Sequence, residues 1–276
     1  MTLPVPTIDH VVINVQDRMD EAQALYQRLG FALTPRGHHT LGSINHLAIF
    51  GTEYLELVGL PKGATGRADL LDAPTGLNGL VWATEDSATV HATLTGLGVA
   101  ISEPGEFSRP VTLASGTRDA VFRTVRLPKE TTEAGRLYFC HHFTRDLVWR
   151  DEWRHHPNGT TGVIRAVISA HHPERLGALF RKMFGEGAVR KVAGGLGLVC
   201  GLTNIDVVSP GMVARRYGPA APVHDNRHEV MAALVLRTRS VGHAAAVIKA
   251  PGTRLNNNRL VVPASETMGV TLEFQE

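Results

Sequence analysis

His10 lies in IDHVVINV (Ile8 to Val15), a lone imidazole in a run of β-branched residues. Taken alone it reads as a core histidine bonded to a backbone carbonyl. Glu56 interrupts a second apolar run, YLELVGL (Tyr54 to Leu60). A carboxylate carried into a buried strand needs a strong partner, which a metal ion or a cation would supply. The third reactive cluster is Cys140-His141-His142 in LYFCHHF. Strand side chains alternate between faces, so Cys140 and His142 share one face, and His141 points to the other unless a strand end or bulge reverses the order. Pointing apart, Cys140 and His141 make a poor catalytic dyad. The same alternation groups Ile8, His10, Val12 and Asn14 on one face, and Asp9, Val11, Ile13 and Val15 on the other.

Other polar signals are weaker. His38, His39, His155 and His156 occupy loop-like stretches and read as solvent-exposed. Gly194, Gly195 and Gly197 precede no helix, so they read as a hairpin turn rather than a phosphate cradle. The chain has no HExxH, GxSxG or Walker sequence.

The elements that must position these groups recur. After Ile8 to Val15 comes a helical stripe of Ala22, Leu25, Tyr26 and Leu29, closed by Gly30 as a C-cap. A weak extended stretch at Phe31 to Pro35 and the runs His46 to Phe50 and Tyr54 to Leu60 complete a β-α-β-β-β unit. The pattern returns with VIRAVISA (Val163 to Ala170), the stripe Leu176, Leu179, Phe180 and Met183, the cap Gly185, and strands at Leu198 to Cys200 and Ile205 to Val208. Two poorer copies start at Leu80 and Met231. Four such units predict an α+β fold of two paired domains, residues 1–155 and 160–276, joined through the turn-rich HHPNGTTG (His155 to Gly162).

The 276 residues carry 28 Lys and Arg against 26 Asp and Glu, so nothing in the charge favours a nucleic-acid or anionic-membrane partner. Hydrophobic residues at 43% exclude a disordered or fibrous chain. The longest apolar runs, such as Ala232 to Leu236, fall far short of the roughly 18 residues of a membrane span, and Met1 to Ile8 has no basic leader, so a cytoplasmic protein is expected. Two cysteines, Cys140 and Cys200, rule out a disulfide framework and read as buried thiols.

A βαβββ repeat with a histidine early in its first strand (IDHVVINV) and a glutamate in its last (YLELVG) resembles the vicinal oxygen chelate superfamily, which includes glyoxalase I, extradiol dioxygenases and bleomycin-resistance proteins. The segment GHHTLGSINHLAIFGTEYLELVG is similar to its glyoxalase-like domain group. The resemblance implies paired units forming a cup-shaped sheet, with ligands from first and last strands on one divalent metal, Fe, Mn, Ni or Zn. It gives His10 and Glu56 the first-unit ligand places, with Glu56 also the catalytic residue. The second unit departs from the pattern, with Asn78 or Gly79 in the histidine place and Cys140 in the carboxylate place. His142, on the face of Cys140, would complete a two-histidine, one-carboxylate set.

Asn45, His46 and His141 are the expected substrate contacts. In the C-terminal half, Arg165 (or Ile164) and Ala232 replace the histidine while Asp206 and Glu273 remain, so that half is read as structural, with Arg165 paired to a carboxylate. The implied function is a metal-dependent lyase, isomerase or dioxygenase acting on a small oxygenated molecule. The competing class is a metal-free small-molecule binding protein of the bleomycin-resistance type. Either is expected to work as a monomer or homodimer.

Overall fold

A computed structural model of the chain describes residues 2–276. The first eight strands are β1 (Ile8–Asn14), β2 (Gly37–His38), β3 (Ile44–Ile49), β4 (Tyr54–Gly59), β5 (Gly76–Ala83), β6 (Gly105–Leu113), β7 (Gly116–Arg126) and β8 (Arg136–His142). They form one curved mixed sheet in the order β2-β3-β4-β1-β5-β8-β7-β6. The next eight are β9 (Thr160–Ala170), β10 (Val189–Val192), β11 (Gly195–Cys200), β12 (Thr203–Val208), β13 (Glu229–Thr238), β14 (Arg254–Asn256), β15 (Arg259–Val262) and β16 (Thr271–Gln275). Their order, β10-β11-β12-β9-β13-β16-β15-β14, repeats the first with each strand advanced by eight. In each unit the first and last strands pair in parallel, as β1 does with β4 and β9 with β12, while the first strands of paired units run antiparallel. This is the expected α+β architecture of paired βαβββ units.

Helices α1 (Met19–Arg28), α2 (Ala68–Leu71), α3 (Ser87–Gly96), α4 (Pro173–Phe184), α5 (Pro210–Tyr217) and α6 (Val241–Val247) connect the strands. The glycine stops are where the sequence puts them: Gly30 and Gly185 have φ of +80° and +87°, a region in which a Cβ is unfavourable. Ser240 caps α6 by accepting from the His243 amide. Val11 and Ile13 of β1 face a hydrophobic cluster that takes in α1, α3, α4 and α6 and residues of both sheets. Trp82 meets Phe184 with ring centroids 5.3 Å apart, and the Tyr26 hydroxyl donates to the Thr267 carbonyl, so the helix-bearing faces of the two halves share one core. The opposite faces carry separate clusters, one around Val12, Leu47, Tyr54 and Phe122, the other around Val167, Val213, Tyr217 and Val261.

Two local expectations change. The extended stretch at Phe31 to Pro35 is not a strand; the edge strand falls instead at Gly37–His38. His156 is buried rather than exposed: its Nε2 donates to the Ile49 carbonyl at 2.9 Å and its Nδ1 accepts from the Ala32 amide at 3.1 Å, which ties the turn-rich joint to the first sheet.

Candidate functional site

Cys140 and Cys200 are free and buried, and burial raises both thiols, Cys200 to about 12, so neither is a nucleophile. The chemistry gathers instead on the face of the first sheet away from the helices. His10 of β1 pairs with Tyr54 and Val12 with Glu56 across the parallel β1–β4 ladder, so these four side chains stand together on that face. The His10 ring stacks on Tyr54 at 4.4 Å, with 8° between the planes. His10, Tyr54 and Glu56 form the floor of a cleft whose walls include Asn45, Phe107, Phe122 and Tyr138.

His10 is held from both ends. Its Nδ1 donates to Asp9 Oδ1 at 2.5 Å, and its Nε2 faces the Tyr138 hydroxyl at 3.2 Å and Glu56 Oε2 at 3.8 Å. An ionised carboxylate only accepts, so Asp9 fixes the proton on Nδ1 and leaves the Nε2 lone pair toward the cup. Glu56 is 7% exposed, and its Oε1 accepts from Asn45 Nδ2 at 2.7 Å.

Asp9 is the residue that strand alternation misplaces. The β1–β5 register shifts between Ile8 and His10, and this bulge turns Asp9 to the side of its neighbour. Its Oδ1 also accepts from His142 Nε2 at 2.9 Å, so the carboxylate bridges two imidazoles. Burial would push Asp9 up, but the His142 and His10 contacts outweigh it and hold the carboxyl well below its usual range.

His142 lies on the face expected for it, 8% exposed, but its Nε2 is directed at Asp9 rather than at Glu56. Among the described residues, the histidine, cysteine and carboxylate ligand atoms that gather within 4.8 Å as a group of three are those of Asp9, Cys140 and His142. His10 and Glu56 face one another separately. His10 Nε2 and Glu56 Oε2 lie 3.8 Å apart, and imidazole with carboxylate suits a borderline divalent cation, so these two residues would hold the metal that the resemblance implies.

Of the expected substrate contacts, Asn45 lines the cleft and His46 and His141 do not. His46 turns toward α1, where its Nδ1 donates to the Thr34 carbonyl at 2.8 Å and its Nε2 accepts from Arg36, itself paired to Asp20. His141 keeps the opposite face from Cys140 and lies against Phe143 at 4.2 Å. The reason in both cases is the two-residue period that seats their neighbours in the cup. His39, read as an exposed loop residue, instead enters the cleft 4.0 Å from Glu56 Oε1, and burial lowers its pKa to about 4, partly opposed by Glu56. Gly79, in the second histidine place, could not carry a side chain: a Cβ there would lie 2.9 Å from the Val12 Cβ.

Tyr138, Arg109, Arg126 and Arg136 line the cup without any sequence signal beyond alternation in their strands. The second sheet answers the same positions differently. Arg165 pairs with Asp206 at 2.8 Å, and Glu273, fully buried, pairs with Arg216 at 2.8 Å and Arg259 at 2.9 Å.

No helix is long and apolar enough to cross a membrane. No curated protein matches the chain significantly. Solved structures similar to it include a hypothetical protein from Staphylococcus aureus, at 10% identity, TM-score 0.65, and coverage of 98% of this chain and 99% of that one. A mutant 4-hydroxymandelate synthase from Streptomyces coelicolor is similar at 10% identity, TM-score 0.59, and coverage of 99% and 92%. A Mn(II)-bound glyoxalase from Novosphingobium aromaticivorans is similar at 14% identity, TM-score 0.57, and coverage of 98% and 82%. At these identities the likeness is one of fold. Residues 8–184, which hold the whole first sheet and the start of the second, match the family described as "Glyoxalase-like domain". The chain therefore belongs to the glyoxalase-like domain family.

Proposed function

We propose that the chain is an enzyme that binds a small oxygenated molecule in the first cup, against a divalent cation held by His10 Nε2 and Glu56 Oε2. The observation that carries the reading is the 3.8 Å approach of these two atoms in a cleft, with Asp9 holding the far side of the imidazole. A cation bound there supplies Lewis acidity toward two adjacent substrate oxygens. The protein's own part is positional. Asp9 keeps the His10 proton on Nδ1, and His142 holds Asp9 from behind, a supporting place rather than a ligand place. Asn45 orients Glu56, whose carboxylate is also the cup's group for accepting a substrate proton. The Tyr138 hydroxyl, held protonated by burial, can donate to a developing oxyanion. This geometry suits lyase, isomerase or dioxygenase chemistry, which share oxyanion stabilisation.

The competing reading is a metal-free binding protein. It draws support from the separation of the three-donor group (Asp9, Cys140 and His142) from the His10–Glu56 pair. Calorimetric titration of tag-free protein with Mn(II) and Zn(II) distinguishes the two. One cation per chain is expected, with binding lost in His10→Ala and Glu56→Gln and only weakened in His142→Ala. Absence of binding would establish the metal-free reading, and equal affinity in all variants would remove His10 and Glu56 from the cation site.

A further inference from the structure

The cup wall carries more positive charge than the chain neutralises. Arg67, Arg109, Arg126 and Arg136 all line it, against Glu56 as the only lining carboxylate among the described residues. Arg67 is satisfied by a bidentate pair with Asp69. The other three have no carboxylate partner among the described residues.

Arg109, on β6, is only 4% exposed, and its Nη2 has no hydrogen-bond partner. Arg136, at the start of β8, donates Nε to Asn78 Oδ1 at 2.9 Å, while its buried Nη2 is likewise unpartnered. Arg126 donates Nε to Thr124 and lies 5.2 Å over the Tyr138 ring. Burial lowers the pKa of both Arg109 and Arg136, yet a guanidinium does not give up its proton, so the desolvation cost stays in the folded protein until an anion arrives.

In the second sheet Arg165 has Asp206 as its carboxylate, and Arg216 and Arg259 share Glu273. In the open cup, by contrast, the buried Nη2 atoms of Arg109 and Arg136 belong to guanidinium groups with no carboxylate partner among the described residues. Planar guanidinium forks match the paired oxygens of a carboxylate or phosphate. Beside Arg109, Phe107 and Phe122 stack at 5.1 Å, giving the cup an apolar wall for the rest of a ligand.

From this juxtaposition we infer that the first cup selects small organic anions, whose oxyanion head group, a carboxylate or a phosphate, is held by Arg109 and Arg136 while an apolar body rests on Phe107 and Phe122. The inference rests on the reading of this cup as the substrate site. It does not require the cation, and its test is run without one.

Chelator-treated protein is titrated calorimetrically with phenylpyruvate, phenyl phosphate and uncharged methyl phenylpyruvate. At least one acid is expected to bind about 10- to 100-fold tighter than the ester, the scale of a charge-assisted hydrogen bond. The tighter acid identifies the head group. Arg109→Met and Arg136→Met should each remove most of that preference, and Arg109→Lys should restore part of it. If Arg109→Met does not fold, the Arg109→Lys and Arg136→Met proteins carry the test. Thermal melts give a second readout: the preferred acid should raise the wild-type melting temperature, and should not do so in the arginine-to-methionine variants. The inference is overturned if neither acid binds, if the ester binds as tightly as the acids, or if the variants keep the wild-type preference. Failure of the Mn(II) and Zn(II) titrations is a separate result that would leave acid binding standing.

Discussion

The two cups of this molecule are built from the same strand order and end in opposite electrostatic states. In the second, Glu273 is fully buried between Arg216 and Arg259, Asp206 is paired with Arg165, and α5 lays Val213 and Tyr217 against the sheet face. The chain supplies its own cations and its own cover, and the face is closed. In the first, Glu56 holds only a neutral amide at hydrogen-bond distance, the histidines stand 3.8 to 4.0 Å away, and Arg109 and Arg136 are left with orphan nitrogens. A buried charge that the fold neutralises is a structural part; one that it leaves open marks where a ligand completes the protein.

If that contrast is right, Glu273→Ala should give the largest effect, because it strands two cations in the closed cup. Urea unfolding should show a loss of about 3–5 kcal/mol, and a loss under about 1 kcal/mol would mean that the ion cluster is not holding the second sheet. Glu56→Gln should behave in the reverse way: cation affinity measured by calorimetry should fall by more than about 100-fold, beyond the range of outer-partner changes, with the sheet still folded by circular dichroism. Unchanged affinity would remove Glu56 from the site.

Asp9→Asn probes the bridge behind His10. It keeps the shape but removes the fixed acceptor, and should lower cation affinity by about 10- to 100-fold. An affinity equal to wild type would show that His10 needs no orienting partner. The smallest effect is expected from Arg165→Met, in the closed cup. It should cost about 1–3 kcal/mol of stability while leaving the cation and acid titrations of the first cup unchanged, and a changed titration would mean that the two cups are coupled.

Much of this architecture is legible along the chain. Val11 and Ile13 against His10 and Val12 declare a two-sided strand, the stripes ending at Gly30 and Gly185 declare helices with their stops, and a histidine and a glutamate inside apolar strands mark His10 and Glu56 as exceptional. Those signals are local, because periodicity and capping depend only on neighbours in sequence. The fate of Asp9 is not local: its side is reversed by a register shift against β5, some 70 residues away, and nothing within IDHVVINV announces it. His39 and His156 read as loop histidines until the edge strand and the joint fold over them. Arg109 and Arg136 reach the cup only because the β6–β7 hairpin and β8 extend the sheet that β1 and β4 begin. The sequence by itself determined which strands carry polar groups and on which face regular alternation would put them. Tertiary structure alone decided which charges meet and which stay unpaired, since pairing across a curved sheet depends on register and closure between segments far apart in the chain.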